Sequence, residues 1–132
     1  MPMSPELTAL ALAGLLQFAQ VVLYAIPANR QLGPRYALSP RDEGRVLTGF
    51  AARAQRAMNN HFENLILFSL AVLVVTISGT QSGFSAACAW VYLCARVLYV
   101  PAYVGGWVPW RSLFFATGWM ATLAMLLTAL LA

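Results

Sequence analysis

Four long apolar stretches follow one another along the chain and predict four helices. Residues 7–29 form a run of 23 without a charge, and about 20 apolar residues suffice to cross a bilayer core. The 32 uncharged residues of 64–95 are too many for one helix, and turn-forming residues at 78–83 divide them. A second, glycine-containing turn lies at 105–109. The pattern predicts a single all-α domain, 1–132, with helices over about 5–28, 48–78, 84–104 and 110–132.

Composition places these helices in a membrane. The chain is 61% hydrophobic and 9% charged, whereas soluble domains carry about 25% charged residues, so an ordinary soluble domain is excluded. The net charge is +4, yet there is no lysine, and six of the eight arginines lie between residues 30 and 56. Such clustering is typical of the positive-inside rule and not of nucleic-acid binding. We expect a multi-pass membrane protein with both termini on the non-cytoplasmic side and no nucleic-acid partner.

A row of polar residues interrupts the apolar pattern of the second helix. Arg53, Arg56, Asn60 and Glu63 are spaced three, four and three apart and therefore share one helix face. We expect Asn60 and Glu63 to lie at or below the membrane boundary, where an unpaired carboxylate costs several kcal/mol. A structural clamp between Glu63 and Arg96 of the third helix would satisfy that carboxylate. A ligand site would also explain it, and the spacing leaves both interpretations open.

The third helix carries a second polar row. Tyr92, Arg96, Tyr99 and Tyr103 are spaced four, three and four apart and share a face. Tyrosines near the end of a span often belong to the interfacial aromatic belt, which fits Tyr103 better than the deeper Tyr92. Pro101 lies within this helix and predicts a kink that would open a cleft at its end.

The start of the fourth helix completes a candidate anion site. Arg111 and Ser112 lie at a helix N-terminus, where free amide groups and the helix dipole favour an anion. Arg30 at the end of the first helix belongs to the same predicted leaflet. Together these groups suit an amphiphilic ligand that is mostly anionic and has one positive group for Glu63. A bundle this thin favours a cleft between the subunits of an oligomer.

Two of these segments resemble the signatures of a known family. Residues 53–63, RAQRAMNNHFE, resemble the R-x-x-R-x-x-x-N-x-x-E signature of the MAPEG family, the membrane-associated proteins in eicosanoid and glutathione metabolism. Residues 95–103, ARVLYVPAY, resemble its second signature. The pair Arg111-Ser112 resembles the arginine-serine pair of the prostaglandin-E-synthase branch.

The resemblance, to bacterial-type members, implies a four-helix subunit in the bacterial inner membrane. It further implies a homotrimer with a glutathione site between subunits, in contact with membrane lipids and a lipophilic small-molecule substrate. Glutathione would be the co-substrate of a transferase or peroxidase that acts on lipophilic electrophiles or lipid hydroperoxides. Arg111, with Ser112, would stabilise its thiolate, because an adjacent cation lowers a thiol pKa. The implied glutathione-binding residues are Arg30, Arg53, Arg56, Asn60, Glu63, Arg96, Tyr99 and Tyr103; no metal site is expected.

Some features of the sequence leave other functions open. Met58 stands where glutathione-using members often have a polar residue, which favours a non-catalytic binding or scaffold protein with the same fold. The single histidine, His61, lies off the polar row, and we interpret it as an interface residue and not as a base. A small transporter with Glu63 as the ion carrier is a third hypothesis. The arginines on the same helix face disfavour a cationic cargo.

Overall fold

The computed structural model describes residues 3–40, 44 and 46–132, and all regular structure within them is helical. Four of the helices are long and apolar enough to cross a membrane. The prediction of an all-α membrane bundle is therefore confirmed, and the chain is a multi-pass membrane protein. The helices are α1 (Pro5–Leu32), α2 (Pro34–Ala37), α3 (Gly49–Ser78), α4 (Gly83–Val104) and α5 (Trp110–Leu131).

The first helix is longer than the sequence suggested. We expected it to end near residue 28, but α1 continues through Pro27 to Leu32. Proline removes one backbone hydrogen bond, and a helix that packs against neighbours in a membrane tolerates this loss. Gly33 then ends the helix with φ at +90°, a conformation that favours glycine.

A side-chain clasp joins the end of α1 to the start of α3. The Gln31 side chain accepts a hydrogen bond from the Thr48 amide at 2.8 Å and donates one to the Thr48 carbonyl at 2.9 Å. These two bonds close the connection that contains the short helix α2, which the sequence pattern did not predict. The start of α3 is therefore fixed relative to the end of α1.

Small residues and two stacked rings fill the centre of the bundle. Phe68 of α3 and Tyr92 of α4 stack with 3.8 Å between ring centroids. Alanines line much of the remaining core, which lets the helix backbones approach closely, as is usual between membrane helices. Gly118 of α5 faces Tyr92, so that α5 lies close against α4. The buried core residues are Ala9, Ala13, Phe68, Ala71, Val72, Val75, Cys88, Ala89, Tyr92, Ala121 and Met125.

The outer surface of the bundle is strongly apolar. Large side chains such as Leu15, Phe18, Ile66 and Leu130 are exposed, which would be unfavourable in water but suits contact with lipid. The two cysteines differ in the same respect: Cys88 is buried, Cys94 is exposed, and both are free thiols. Membrane lipid is thus the environment that this surface fits.

Candidate functional site

A cleft opens where α4 ends and α5 begins. It has a volume of about 280 Å³ and is lined by Tyr99, Tyr103, Arg111, Ser112 and Phe115. Four of these five residues carry polar groups, in contrast to the apolar surface of the bundle. We call it the α4–α5 cleft. It contains the two residues of the fourth predicted helix that the sequence marked for anion binding.

Two arginines contact Tyr103 at this cleft. The guanidinium carbon of Arg111 lies 5.0 Å from the centre of the Tyr103 ring, and that of Arg56 lies 5.8 Å from it. Arg56 Nε also donates a hydrogen bond to the Tyr103 hydroxyl at 2.9 Å. Neither arginine forms an ion pair with a described carboxylate. Two cations that lie close together and have no ion-pair partner within the described part of the chain form a region that attracts an anion.

A second pocket adjoins the cleft and contains the acid of the α3 polar row. It has a volume of about 190 Å³, shares Phe115 with the cleft, and is lined by Asn60, Glu63, Asn64, Leu67, Phe115 and Trp119. Asn64 Nδ2 donates to the Asn60 backbone carbonyl at 2.9 Å and to Asn60 Oδ1 at 3.3 Å, and the second of these bonds joins the two side-chain amides. Glu63 is exposed and has no ion-pair partner among the described residues. Its carboxylate is therefore free to meet a positive group of a ligand.

Arg53 has a partner in the bundle. Its Nε donates a hydrogen bond of 2.7 Å to the carbonyl of Val104, the last residue of α4. The carbonyls at a helix C-terminus lack partners within the helix and carry a partial negative charge, which a cation stabilises. Arg53 thus caps α4 directly after Tyr103 and fixes the end of the helix that supports the cleft.

The structure places Arg96 inside the bundle. Its side chain is 1% exposed, and its Nε donates a hydrogen bond to His61 Nδ1 at 3.2 Å. The other ring nitrogen of His61 is 2.9 Å from the Ala13 carbonyl. The guanidinium carbon of Arg96 lies 4.2 Å from the centre of the Tyr99 ring, on the protein side of the cleft.

These contacts correct two predictions. The Glu63–Arg96 clamp is wrong, because Arg96 is bonded to His61 while Glu63 is exposed. The placement of His61 at the membrane interface is also wrong, because the ring is fully buried. A signal was available in the sequence: Ala57, His61 and Phe68 continue a row of small and apolar residues at helical spacing, which is the buried face of α3.

The sequence matches a known protein family over most of its length. The sequence profile of the MAPEG family matches residues 7–131, nearly the whole chain. The chain belongs to the MAPEG family. This family includes glutathione transferases and peroxidases. No curated protein matches the chain.

The two segments that resemble MAPEG signatures, 53–63 and 95–103, contact each other beside the α4–α5 cleft. Arg56 of the first signature contacts Tyr103 of the second, which in turn contacts Arg111 at the start of α5. Arg30 is not among the residues that line this cleft. It lies on α1, exposed, in a separate groove of about 520 Å³ with Phe50 of α3. Every other predicted residue of the site is on α3, α4 or α5.

Proposed function

We propose that this MAPEG protein is a glutathione-dependent transferase or peroxidase that acts on lipophilic electrophiles or lipid hydroperoxides. The observation that carries the proposal is the pair of cations, Arg56 and Arg111, that both lie close to the Tyr103 ring and have no ion-pair partner among the described residues. The adjoining pocket supplies one exposed carboxylate, Glu63. Glutathione has two carboxylates, one ammonium group and one thiol, so its charges are complementary to this set.

Each part of the tripeptide has a partner in this proposal. Glu63 and Asn60 bind the ammonium group and its neighbouring carboxylate, while Arg56 and Arg53 bind carboxylate. The hydroxyls of Tyr99 and Tyr103 donate hydrogen bonds. Arg96, which lies behind the Tyr99 ring, acts on the site through that ring.

Arg111 is the residue proposed to stabilise the thiolate. A free thiol has a pKa of about 8.5, and an adjacent guanidinium lowers it. Arg111 is partly exposed and lines the cleft beside Ser112, whose hydroxyl supplies a further hydrogen-bond donor in this proposal. A thiolate held there can attack an electrophile. In the peroxidase reaction two thiols become a disulfide, and the hydroperoxide becomes an alcohol and water.

The site is proposed to be completed by a second subunit. Arg30 belongs to the family-implied ligand set but lines a groove on α1, apart from the cleft. An α1 helix contributed by a neighbouring copy would bring an Arg30 to the exposed α3 face that carries Asn60 and Glu63. A closed ring gives every subunit such a neighbour, and a homotrimer, which the family resemblance implies, is the assembly we propose.

A titration in detergent tests glutathione use. The thermal stability of the purified protein is measured against glutathione and against S-methylglutathione, which has no ionisable thiol. A specific ligand at 100 times its Kd adds about 2.7 kcal/mol to the free energy of unfolding. Absence of a saturable shift with either ligand would favour the alternative, a non-catalytic binding or scaffold protein with the MAPEG fold.

The role of Arg111 is tested by turnover. With a soluble aryl halide or an organic hydroperoxide as the second substrate, we expect Arg111→Ala to lose most of kcat while it remains folded. Its affinity should fall more for glutathione than for S-methylglutathione, because only the former presents a thiolate. Arg35→Ala removes an exposed arginine of α2, outside the cleft, and serves as the matched control. Equal turnover in Arg111→Ala and Arg35→Ala would refute the role.

A further inference from the structure

A buried histidine joins three helices behind the proposed site. The His61 ring of α3 contacts the Ala13 carbonyl of α1 through Nε2 at 2.9 Å and Arg96 of α4 through Nδ1 at 3.2 Å. A carbonyl only accepts hydrogen bonds and a guanidinium only donates them. Nε2 must therefore carry the proton and Nδ1 must be the acceptor. The two bonds together fix both the tautomer and the orientation of the ring.

From Arg96 a row of four side chains, each against the next, reaches the cleft, and its two tyrosine rings are tilted by 38° to each other. The Arg96 guanidinium carbon is 4.2 Å from the Tyr99 ring centre, the Tyr99 and Tyr103 centres are 5.5 Å apart, and Arg111 lies 5.0 Å from Tyr103. We call these four side chains the stacked row. Each contact lies within the distance at which a cation and a ring, or two rings, attract each other. Arg111 is thus connected by direct contacts to a buried residue that lines neither the cleft nor the pocket beside it.

The orientation of Arg96 depends on one directional bond. Its side chain is fully buried, and its two terminal nitrogens have no hydrogen-bond partner among the described residues. The bond from Nε to His61 is therefore the contact that sets the plane of the guanidinium over Tyr99. Without that acceptor the guanidinium can turn about its last dihedral angle and leave the face of the ring.

We propose that His61 is a positioning residue for this site: by accepting from Arg96 it aligns the stacked row and so sets the position of the Arg111 guanidinium. The inference rests on the proposed function, in which Arg111 faces the thiolate. It gives His61 a role that differs from packing. A displacement of about 1 Å at a reacting group can lower a rate by about 100-fold, so a small rotation at Arg96 would be visible in kcat.

Two substitutions separate the two bonds of His61. In His61→Asn the side-chain oxygen can take the place of Nδ1 and accept from Arg96, but the side chain is too short to reach Ala13. In His61→Gln the amide group can take the place of Nε2 and donate to Ala13, but the acceptor for Arg96 is lost. We expect His61→Asn to keep kcat within about twofold of the wild type. We expect His61→Gln to lose about tenfold in kcat with little change in the Kd for glutathione.

The opposite pattern would overturn the proposal. If His61 only anchors α3 to α1, His61→Gln should retain activity and thermal stability while His61→Asn loses both. Equal losses in the two variants, with a matching fall in the melting temperature, would also assign His61 to packing alone.

A second readout does not need glutathione. An arginine-specific dicarbonyl such as phenylglyoxal modifies exposed guanidinium groups, and mass spectrometry gives the rate at each site, with exposed Arg35 as the internal reference. We expect the rate at Arg111 to rise severalfold in His61→Gln and to stay at the wild-type value in His61→Asn. Tyr99→Leu breaks the stacked row without touching His61 and should raise the rate as His61→Gln does. A wild-type rate at Arg111 in either His61→Gln or Tyr99→Leu would refute positioning.

The two readouts also distinguish the failure of this inference from failure of the proposed function. If the wild-type protein neither binds nor turns over glutathione, the proposed function is wrong, while the Arg111 modification rates still decide whether His61 positions the row. If glutathione is turned over but the rates at Arg111 do not respond, only the positioning role is wrong.

Discussion

The contact between α4 and α5 gives a prediction whose sign can be worked out from the structure. A methyl group built on Gly118 would lie 3.5 Å from Tyr92 Cδ2, 3.7 Å from Ala95 Cβ and 3.7 Å from Arg96 Cδ. These are ordinary van der Waals distances. Gly118→Ala should therefore fit without a shift of its neighbours, add contacts, and remove a glycine from a helix interior, where it costs about 1 kcal/mol relative to alanine.

We expect Gly118→Ala to raise the free energy of unfolding by about 1 kcal/mol, which corresponds to about 3–5 °C in melting temperature for a chain of this size. Gly118→Val should do the reverse. Its two extra methyl groups extend from a Cβ already in contact with Tyr92 and Arg96, and such overpacking costs about 1–3 kcal/mol. The assay is thermal unfolding in detergent, with the loss of helix content as the measured signal.

Gly14 of α1 provides the matched control. It also lies in a helix interior, but a Cβ built there meets nothing within 4 Å. Gly14→Ala should therefore show the propensity gain alone, and Gly14→Val should lack the overpacking penalty. The reasoning would be refuted if Gly118→Val were as stable as Gly14→Val. A loss of stability in Gly118→Ala would refute it as well, since α4 and α5 would then be too close together for a methyl group to fit.

Two further substitutions test individual hydrogen bonds. Tyr103→Phe removes the hydroxyl that accepts from Arg56 but keeps the ring beside Arg111. A hydrogen bond of this kind contributes about 0.5–1.5 kcal/mol, so the Kd for glutathione, measured by titration, should rise about twofold to tenfold. An unchanged Kd would show that the Tyr103 hydroxyl supports binding neither directly nor by holding Arg56. Gln31→Ala opens the clasp to Thr48, and hydrogen exchange at the Thr48 amide should accelerate by about fivefold. Unaltered exchange would show that the clasp does not hold that amide.

The sequence predicts the bundle well because each helix is specified locally. Runs such as 7–29 and 64–95 contain no charge, and in lipid a chain of that kind must satisfy its own backbone as a helix. The family resemblance is confirmed. It could be predicted for a similar reason, because the spacing of Arg56 and Glu63 along one helix is a local property of the sequence. The predicted end of α1 was too early because we took Pro27 as the end of the helix. Proline ends helices in water more readily than in a membrane bundle.

The partners of the buried charges could not be predicted in the same way. Helical spacing shows which residues share a face of one helix, but it does not show which face of the next helix lies opposite. Glu63 and Arg96 have opposite charges and both lie on predicted membrane helices. Yet Glu63 is exposed, whereas Arg96 is buried against His61. That outcome depends on the packing of α1, α3 and α4 against each other. Four of the residues that line the cleft, Tyr99, Tyr103, Arg111 and Ser112, were singled out in the sequence because polar groups are unusual in so apolar a chain, whereas nothing marked Phe115.

The unequal exposure of the two cysteines gives the protein a natural attachment point for a probe. Cys94 is exposed and Cys88 is buried, so a thiol-reactive spin label should modify one site in each chain without any substitution. In a ring of three identical subunits the labels form an equilateral triangle and give a single distance, whereas a ring of four gives two distances in the ratio of the side to the diagonal of a square. Pulsed dipolar spectroscopy on the unmodified sequence can therefore count the subunits.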